Sequence, residues 1–359
     1  MNKKVLIDLE RLRYPNSGIA SVFRNLAKGL MSLNSNIILN FFGPIDELKK
    51  DIPESHIVSR KIWNKFLENF STDYDLVHVS HQLSSYFNKN YTEAKKIVTL
   101  HDLNFLHEHL SSHKKQKMLF NVNKNLQYAD YVVCISQFVK EDFIKNQSLF
   151  KLEKLKGIEV IYNGISIPNV KNCEKNVFSN LKNKKYLLNI GVLFPKKNQL
   201  SLVKMLRYLD LDLVLVVSGS KKDYENKILS DIKNLGLENR VHILRNVTND
   251  EKFSLLKNCE ALCQPSLAEG FGIPPIEAMY FGKPVFLSTF TSLPEVGGDV
   301  AFYFETLEPE KMANTIKTGL EKYKTQPELE KQLTDWALQF DYKVMAKKYH
   351  DLYERILNN

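Results

Sequence analysis

Cysteine is scarce in this sequence, and long apolar runs are missing. The four cysteines are Cys134, Cys173, Cys259 and Cys263. They are too few and too scattered along 359 residues to form a disulfide framework, so we expect a protein of the reducing cytoplasm. The apolar run at residues 211–217 is broken by Asp212 and is far too short to cross a bilayer. The start, MNKKVLIDLE, lacks the apolar stretch and small-residue cleavage site of a signal peptide.

Three familiar catalytic patterns are also missing. No G-x-G-x-x-G follows the first predicted strand, which argues against a dehydrogenase. No phosphate-binding G-x-x-x-x-G-K-[ST] loop occurs. No G-x-S-x-G turn supplies the nucleophile that hydrolase chemistry needs. An enzymatic activity of this chain therefore has to use other groups.

The composition is that of a globular protein with a surplus of positive charge. Its hydrophobic content of 43% and charged content of 25% are ordinary, and 359 residues suggest two domains. The net charge of +9 is compatible with nucleic acid, anionic lipid or a phosphorylated small molecule as partner, or with solubility alone. No basic stripe with interleaved aromatic residues is present, which argues against nucleic acid.

Short apolar strands alternate with amphipathic helices along the first half of the chain. Residues 5–7 predict the first strand, and apolar residues recur at helical spacing between Ile19 and Leu30. Further strands are predicted at residues 37–39, 76–79, 96–100 and 131–135. Strands of this kind between helices indicate a parallel sheet covered on both faces.

A polar segment at residues 166–185 has no periodicity and predicts an interdomain linker. The strand pattern then restarts at residues 186–191, 213–217, 241–244, 261–263 and 284–287. We therefore predict an α/β fold of two Rossmann-like domains facing a cleft, at residues 1–175 and 180–340. In parallel sheets the ligand lies beyond the carboxyl ends of the strands.

The strongest chemical signal is PSLAEGFGIPPIEAM at residues 265–279. A predicted strand ends just before it, and its two prolines stand where the first turn of a helix tolerates proline. The N-terminus of such a helix presents backbone amides, an arrangement that binds a diphosphate. The residues that would contribute these amides are Gly270, Phe271, Gly272 and Ile273.

Two carboxylates lie eight positions apart in the same stretch. Glu269, in the loop, can accept hydrogen bonds from sugar hydroxyls. Glu277, about one turn into the helix, can hold ribose hydroxyls. A helix start with ordinary capping carboxylates is the alternative, and the complete string argues against it.

This spacing resembles the E-x7-E signature of the family 4 retaining glycosyltransferases, which have the fold called GT-B. The stretches GKPV at residues 282–285 and SLPEV at 292–296 are similar to the same family. The resemblance is close over residues 186–305 and looser before them. It implies that the first domain binds an acceptor and the second a nucleotide-sugar donor. It also implies that the last helix, at about 341–359, packs back on the first domain.

The resemblance implies roles for residues outside the motif. Lys196 and Lys197 match the pair that clamps the donor diphosphate at a helix start and offsets charge on the leaving group, although the family often has Arg-Lys there. His101, at the end of a predicted strand, matches the histidine that reaches the donor sugar near its reacting carbon.

Weaker correspondences concern loops. Gly18 matches the glycine-containing loop near the acceptor and the donor phosphate, although a plain turn explains a lone glycine equally well. Asn246 and Val247 follow the strand at 241–244, at the turn whose backbone lies against the nucleotide base in the family.

Two D-x-D pairs match the pattern of metal-dependent glycosyltransferases. They are Asp73 with Asp75 and Asp210 with Asp212. Both pairs precede their strands, whereas the usual metal motif follows a strand and so lies at the ligand end. The histidines at residues 107–113 have no cysteine or second cluster to complete a zinc site. We therefore expect no metal and no cofactor beyond the donor substrate.

The predicted activity is metal-independent transfer of a hexose with retention, from a nucleotide-diphosphate sugar to a glycan or lipid-linked glycan. Similarity to bacterial mannosyltransferases of surface-polysaccharide synthesis favours GDP-mannose over UDP-hexoses as donor. The alternatives are another GT-B enzyme, such as a sugar-nucleotide epimerase or phosphorylase, and a non-catalytic partner that binds nucleotide sugar or glycan.

Peripheral attachment to the inner face of the cell membrane is also predicted. Two stretches of the first domain, at residues 60–66 and 113–120, mix cations with large apolar side chains. Such stretches dock on anionic lipid when they are exposed. The alternative is that the apolar residues of the first stretch, Trp63 among them, belong to the core.

Overall fold

The computed structural model describes residues 3–14, 17–59, 73–108, 110–166, 178 and 181–358. The chain divides into two compact units, one of Met1–Ser166 with Phe340–Asn359 and one of Ile167–Gln339. Over the part of the chain that is described, no helix combines the length and apolar character needed to cross a membrane. The stretch at residues 60–66, Cys173 and His109 lie outside the described residues.

The first unit contains a seven-stranded sheet in which all strand pairs are parallel. Its strands are β1 (Lys4–Asp8), β2 (Ile38–Gly43), β3 (Ile57–Ser59), β4 (Leu76–Val79), β5 (Lys95–Leu100), β6 (Tyr131–Cys134) and β7 (Gly157–Val160). Their spatial order is β3-β2-β1-β4-β5-β6-β7. Every residue of β4 is buried, as expected for a parallel sheet with both faces covered.

The second unit repeats the plan with six parallel strands. They are β8 (Tyr186–Leu193), β9 (Asp212–Ser220), β10 (Val241–Arg245), β11 (Ala261–Gln264), β12 (Val285–Ser288) and β13 (Phe302–Phe304), in the order β10-β9-β8-β11-β12-β13. The order reverses between β8 and β11, and a ligand of a doubly wound sheet binds beyond the carboxyl ends at that point. The predicted α/β fold with two Rossmann-like domains is confirmed.

The helices of both units follow the strands in sequence. They are α1 (Gly18–Met31), α2 (Ile45–Leu48), α3 (Ser112–Leu126), α4 (Gln137–Lys145), α5 (Gln199–Met205), α6 (Lys222–Asn234), α7 (Asn249–Asn258), α8 (Ile273–Tyr280), α9 (Leu293–Gly297), α10 (Pro309–Thr325), α11 (Glu328–Leu338) and α12 (Tyr342–Asn358). The side chain of Ser17 caps α1 by accepting from the amide of Ala20, and Leu26 and Leu30 bury its apolar face.

Helix α12 packs within the first unit through a buried polar network. The imidazole of His78, on β4, forms hydrogen bonds with the Tyr353 hydroxyl at 2.6 Å and the Thr99 hydroxyl at 2.8 Å. The Thr99 hydroxyl also lies 2.9 Å from that of Tyr349. Burial lowers the pKa of His78 to about 3, so the ring is neutral and the network carries no charge. These hydrogen bonds fix the register of α12 on the sheet.

Three strands were not predicted, and one predicted strand is longer than expected. One of the three is β7, whose four residues are all half-buried and show no alternation. β3 and β13 have three residues each, too few to produce a readable pattern. The strand predicted at residues 186–191 continues two residues further, because β8 ends at Leu193. A register shift between Gly191 and Leu193 marks this extension.

Candidate active site

The loop from β11 to α8 lies at the carboxyl edge of the second sheet. Gly272, just before α8, has φ of 119°, a conformation that favours glycine, and a Cβ there would lie 3.0 Å from Leu293 Cδ2. Pro274 is in the first turn of the helix, where its missing N–H costs nothing. The sequence thus builds a tight loop that ends on the amides of a helix N-terminus, as predicted.

Glu269 is the most heavily supported side chain of this loop. It is 8% exposed, and its Oε1 accepts hydrogen bonds from Gln264 Nε2 and Ser266 Oγ, both at 2.9 Å. Its Oε2 lies 2.5 Å from Lys197 Nζ. Neither the ion pair nor the two neutral donors were predicted, because their sequence separations carry no periodic signal. A buried carboxylate requires such partners.

The charge state of Glu269 follows from these contacts. Burial opposes ionisation, but the nearby Lys197 ammonium and the hydrogen bonds from Lys197, Gln264 and Ser266 outweigh it. Together they hold the pKa of Glu269 below its ordinary value. Glu269 is therefore a carboxylate at neutral pH, which can accept hydrogen bonds from hydroxyl groups and stabilise positive charge.

Hydrogen bonds of three further side chains hold the loop from β11 to α8 in place. Asn189, on β8, donates to the Gln264 side chain at 3.2 Å and to the Cys263 carbonyl at 2.8 Å. The Thr291 hydroxyl accepts from the Glu269 amide at 3.0 Å, although Thr291 has a φ of 56°, a strained value for a β-branched residue. The Ser292 hydroxyl donates to the Phe271 carbonyl at 2.7 Å. The SLPEV stretch that supported the resemblance thus holds the loop in place.

Glu277, in the middle of α8, has a partner that the sequence did not reveal. Lys252, on α7, places its Nζ 2.7 Å from Glu277 Oε1. Both side chains are largely buried, at 20% and 9% exposed. The pair leaves Glu277 Oε2 outside this contact, and a carboxylate of this kind can accept two ribose hydroxyls at its remaining lone pairs.

The lysine pair lies on a short 3-10 turn, Pro195–Lys197, rather than at the start of an α-helix. Asn198 follows in the left-handed conformation, with φ of 54°, and α5 begins only after it. The Lys196 carbonyl accepts from the Leu267 amide at 2.7 Å, which ties this turn to the loop that carries Glu269. The 3-10 turn is therefore part of the same constellation.

The weaker loop predictions have less support in local geometry. Asn246 follows β10 with φ of 53°, which asparagine tolerates, and its side chain is exposed; Val247 is half-buried. Gly18 is exposed and begins α1 without a positive φ, so the backbone conformation does not require glycine there. The contacts of these residues with a nucleotide or acceptor stay predictions.

His101 follows β5 in the first unit and is almost completely buried. Its Nε2 donates to the Ser80 carbonyl at 2.8 Å, its ring stacks on His81 at 4.8 Å, and the edge of Phe23 packs against it. Burial lowers the pKa of His101, and the Ser80 hydrogen bond only partly opposes this. His101 is thus a neutral ring with Nδ1 as acceptor, and it acts by hydrogen bonding and shape rather than by charge.

The same edge of the first sheet carries a buried acidic pair. Asp8, the last residue of β1, accepts from the Ser84 hydroxyl at 2.5 Å and the Glu10 amide at 2.9 Å. Burial, and secondarily the charge of Glu10, raise the pKa of Asp8 to about 7. Glu10 itself lies 3.3 Å from Arg13 and 3.7 Å from Arg11. Asp8 and Glu10 were not predicted from the sequence, because neither belongs to a motif.

Both D-x-D pairs have ordinary structural surroundings. Asp75 accepts from Lys3 Nζ and from the Lys4 amide, at the amino end of β4. Asp212 pairs with Lys184 at 2.7 Å and His242 at 2.8 Å, at the amino end of β9. These carboxylates stabilise strand starts on the edge opposite the predicted ligand sites.

Two family models together span most of the chain. The model described as Glycosyltransferase Family 4 matches residues 17–167, and the model described as Glycosyl transferases group 1 matches residues 171–336. The chain belongs to the family 4 glycosyltransferases. The second match contains the whole loop from β11 to α8 with Glu269 and Glu277.

Individual relatives agree with this assignment. The O-antigen chain mannosyltransferase RfbU of Salmonella typhimurium is 27% identical over 70% of this glycosyltransferase and 67% of its own length. An uncharacterized glycosyltransferase of Methanocaldococcus jannaschii, MJ1069, is 25% identical over 88% of this chain and 84% of its own length. The structure of Anabaena HepE in complex with UDP and glucose superposes with a TM-score of 0.76 and 21% sequence identity. The superposition covers 98% of this chain and 100% of the HepE chain. These similarities confirm the GT-B fold.

Proposed function

We propose that this glycosyltransferase binds its nucleotide-sugar donor at the loop from β11 to α8 and transfers a hexose with retention, without a metal ion. The observation that supports this most directly is the buried Glu269–Lys197 ion pair beside the N-terminus of α8. It combines a fixed carboxylate, an ammonium and backbone amides, the groups that a sugar, a diphosphate and a developing negative charge require.

The donor diphosphate is held by the amides at the start of α8 and by the lysines of the 3-10 turn. An ammonium has three N–H donors, and the ion pair uses one of those of Lys197, so the same group can also donate to a phosphate oxygen. Lys196 adds a second positive charge on the same turn. Glu277 takes the ribose hydroxyls, oriented by Lys252.

Transfer then proceeds on one face of the sugar. The bond from the anomeric carbon to the leaving phosphate breaks, the acceptor oxygen bonds to that carbon from the same side, and the leaving phosphate takes the acceptor proton. Lys197 and the helix amides stabilise the negative charge that develops on the phosphate. The Glu269 carboxylate orients the sugar hydroxyls.

Mannose from GDP-mannose is the proposed donor group. The support is the similarity to RfbU, whose name states a mannosyltransferase of the O-antigen chain. UDP-hexoses are the competing donors, since the HepE structure contains UDP and glucose. The proposed acceptor is a glycan or a lipid-linked glycan.

Release of nucleoside diphosphate from a panel of nucleotide sugars tests this proposal. GDP should be released from GDP-mannose, faster when acceptor glycans are present, and Glu269→Gln should abolish the increase. Release of UDP from UDP-glucose, with no release of GDP from GDP-mannose, would replace GDP-mannose by UDP-glucose as the proposed donor. Conversion of the nucleotide sugar to its epimer without an acceptor would overturn the transferase assignment.

Helix α3 also supports peripheral binding to anionic membranes. It contains four lysines and no acidic residue, in the sequence SHKKQKMLFNVNKNL. Phe120 is 66% exposed, and Lys117 and Lys124 neighbour it on the helix surface at spacings of three and four residues. An exposed aromatic ring between cations fits an anionic lipid surface, to which each cation contributes about 1 kcal/mol.

Vesicle co-sedimentation tests the membrane proposal. The protein should bind vesicles rich in phosphatidylglycerol at low salt and dissociate at high salt, and Phe120→Ser and Lys117→Glu should each weaken binding. Leu338→Ser, at an exposed position of α11, is the matched control and should bind like the wild type. Equal binding to neutral and anionic vesicles, or no binding at all, would contradict the proposal.

A further inference from the structure

A cavity of about 520 Å³ lies in the first unit. Its walls are two cations, Arg11 and Lys124, with two serines, two asparagines and one leucine. Arg11 follows β1, Ser84 follows β4, and Lys124 is on α3. The cavity therefore lies by the carboxyl ends of two strands, the edge where parallel sheets bind ligands, and its volume suits a small carbohydrate.

The charge of this cavity is positive. Among the residues described around it, none of the lining side chains is a carboxylate. Glu10 partly offsets Arg11, at 3.7 Å, but it also faces Arg13 at 3.3 Å, so this acidic residue serves two cations. Lys124, which is exposed, adds further positive charge. The polar walls can donate hydrogen bonds, and the two cations attract an anion.

The guanidinium of Arg11 is fixed in place and keeps donor capacity. Its Nη2 donates to the Leu83 carbonyl at 2.9 Å, which uses one of five N–H groups. Its Nε is buried, 3.7 Å from Glu10 Oε1, so the N–H groups that a ligand can use are those of Nη1 and Nη2. A guanidinium held this way is prepared for a two-point contact with phosphate oxygens.

The loop after β4, which carries Leu83 and Ser84 of the cavity lining, is also fixed in place. Asn125, on α3, donates to the carbonyls of Gln82 at 3.0 Å and Ser84 at 3.1 Å. The Ser84 hydroxyl donates to Asp8. The loop after β4 is thus tied both to α3 and to the end of β1, which keeps the cavity walls at fixed positions.

We propose that this cavity binds the phosphate or diphosphate of the acceptor, so that the acceptor is a phosphorylated carbohydrate. This inference rests on the transferase function proposed above. The phosphate group can belong to a lipid-linked sugar diphosphate or to a free sugar phosphate. In both cases Arg11 and Lys124 select acceptors that carry the anion over neutral glycans.

Calorimetric binding to the full chain tests the proposal, with GDP present in excess to occupy the donor site. The probes are N-acetylglucosamine 1-phosphate, N-acetylglucosamine joined through a diphosphate to a farnesyl chain in detergent, and the neutral methyl glycoside. Both phosphorylated probes should bind roughly tenfold or more tightly than the methyl glycoside, as a charge-assisted contact predicts. Tighter binding of the farnesyl probe indicates a lipid-linked acceptor, and equal binding indicates a free sugar phosphate.

Substitutions test whether the preference for phosphorylated probes arises from the cations of the cavity. Lys124→Glu should weaken both phosphorylated probes by roughly tenfold or more and leave the methyl glycoside unchanged. Lys145→Glu makes the same charge change at an exposed position of α4, outside the cavity lining, and should have little effect. Arg11→Lys keeps the charge, loses the two-point contact and should show an intermediate loss. Equal affinity for all three probes, or equal binding by wild type and Lys124→Glu, would overturn the proposal.

The same preparations separate this inference from the proposed function. Nucleoside diphosphate release from nucleotide sugars, with water as acceptor, reports on the donor site alone. Donor turnover without any preference for phosphorylated probes would remove the cavity proposal and leave the transferase intact. Phosphate-selective binding without turnover of any nucleotide sugar would remove the transferase proposal instead.

Discussion

Replacing Lys197 by methionine should destabilise the protein and abolish transfer. The side chains of Lys197 and Glu269 are 16% and 10% exposed, so the substitution leaves a buried carboxylate with only Gln264 and Ser266 as partners. Breaking one side of a buried ion pair costs about 3–5 kcal/mol of unfolding free energy. The exposed-surface control Lys204→Met, whose partner Asp231 lies 3.5 Å away, should cost about 1 kcal/mol or less.

The pH dependence of stability should have opposite signs in the wild type and in Lys197→Met. In the wild type the pKa of Glu269 is lowered, so its contribution to stability is present above pH about 4 and lost as the pH falls. Without Lys197, burial dominates and raises that pKa, so the stability of Lys197→Met should fall as the pH rises.

A double-mutant cycle with Glu269→Gln separates stability from catalysis. The double variant should recover most of the lost unfolding free energy in urea denaturation, yet remain inactive, because both charged groups are gone. A coupling energy of about 2 kcal/mol or more is expected. Coupling below about 0.5 kcal/mol, or normal turnover by either single variant, would refute the reasoning.

Three further predictions concern other parts of the protein. Glu277→Ala should raise the donor KM by roughly tenfold to a hundredfold, about 1.4–2.7 kcal/mol, with little change in kcat, because a ribose contact is equal in ground and transition states; an unchanged KM would remove Glu277 from the ribose. Transfer should persist in EDTA, since lysines and helix amides stabilise the leaving group; loss of activity that Mn²⁺ restores would contradict this. The Asp8 pKa of about 7 means that this group's stabilisation, complete below its unfolded pKa near 4, is lost as the pH rises through 7. In thermal denaturation, the wild type should therefore lose more stability than Asp8→Asn between pH 5 and pH 8. Identical pH profiles of the two proteins would disprove the raised pKa of Asp8.

The sequence predicted the fold and the conformation of the loop from β11 to α8 because both depend on local patterns. β-Branched strands between amphipathic helices appear directly in the order of residues, and the loop from Glu269 to Glu277 combines glycine, proline and two carboxylates at fixed spacing. The structure places Gly272 at a positive φ and Pro274 in the first helical turn, the positions where these residues are needed.

The partners of these residues were not predictable in the same way. Lys252 reaches Glu277 from another helix, 25 positions away, and Gln264 reaches Glu269 from the end of a strand. Lys197 was predicted as a phosphate ligand, but its ion pair with Glu269 depends on how two loops meet at a sheet edge. Burial creates the need for these partners, and burial of a loop carboxylate is not encoded in spacing or composition.

The configuration of the product tests the central claim most directly. An acceptor should be glycosylated from a donor labelled with ¹³C at the anomeric carbon, and the one-bond carbon–proton coupling of the new linkage measured by NMR. An α-linked donor should give an α-linked product, formed in EDTA by the wild type and not by Glu269→Gln. A β-linked product, or an α-linked product formed equally by Glu269→Gln, would contradict it.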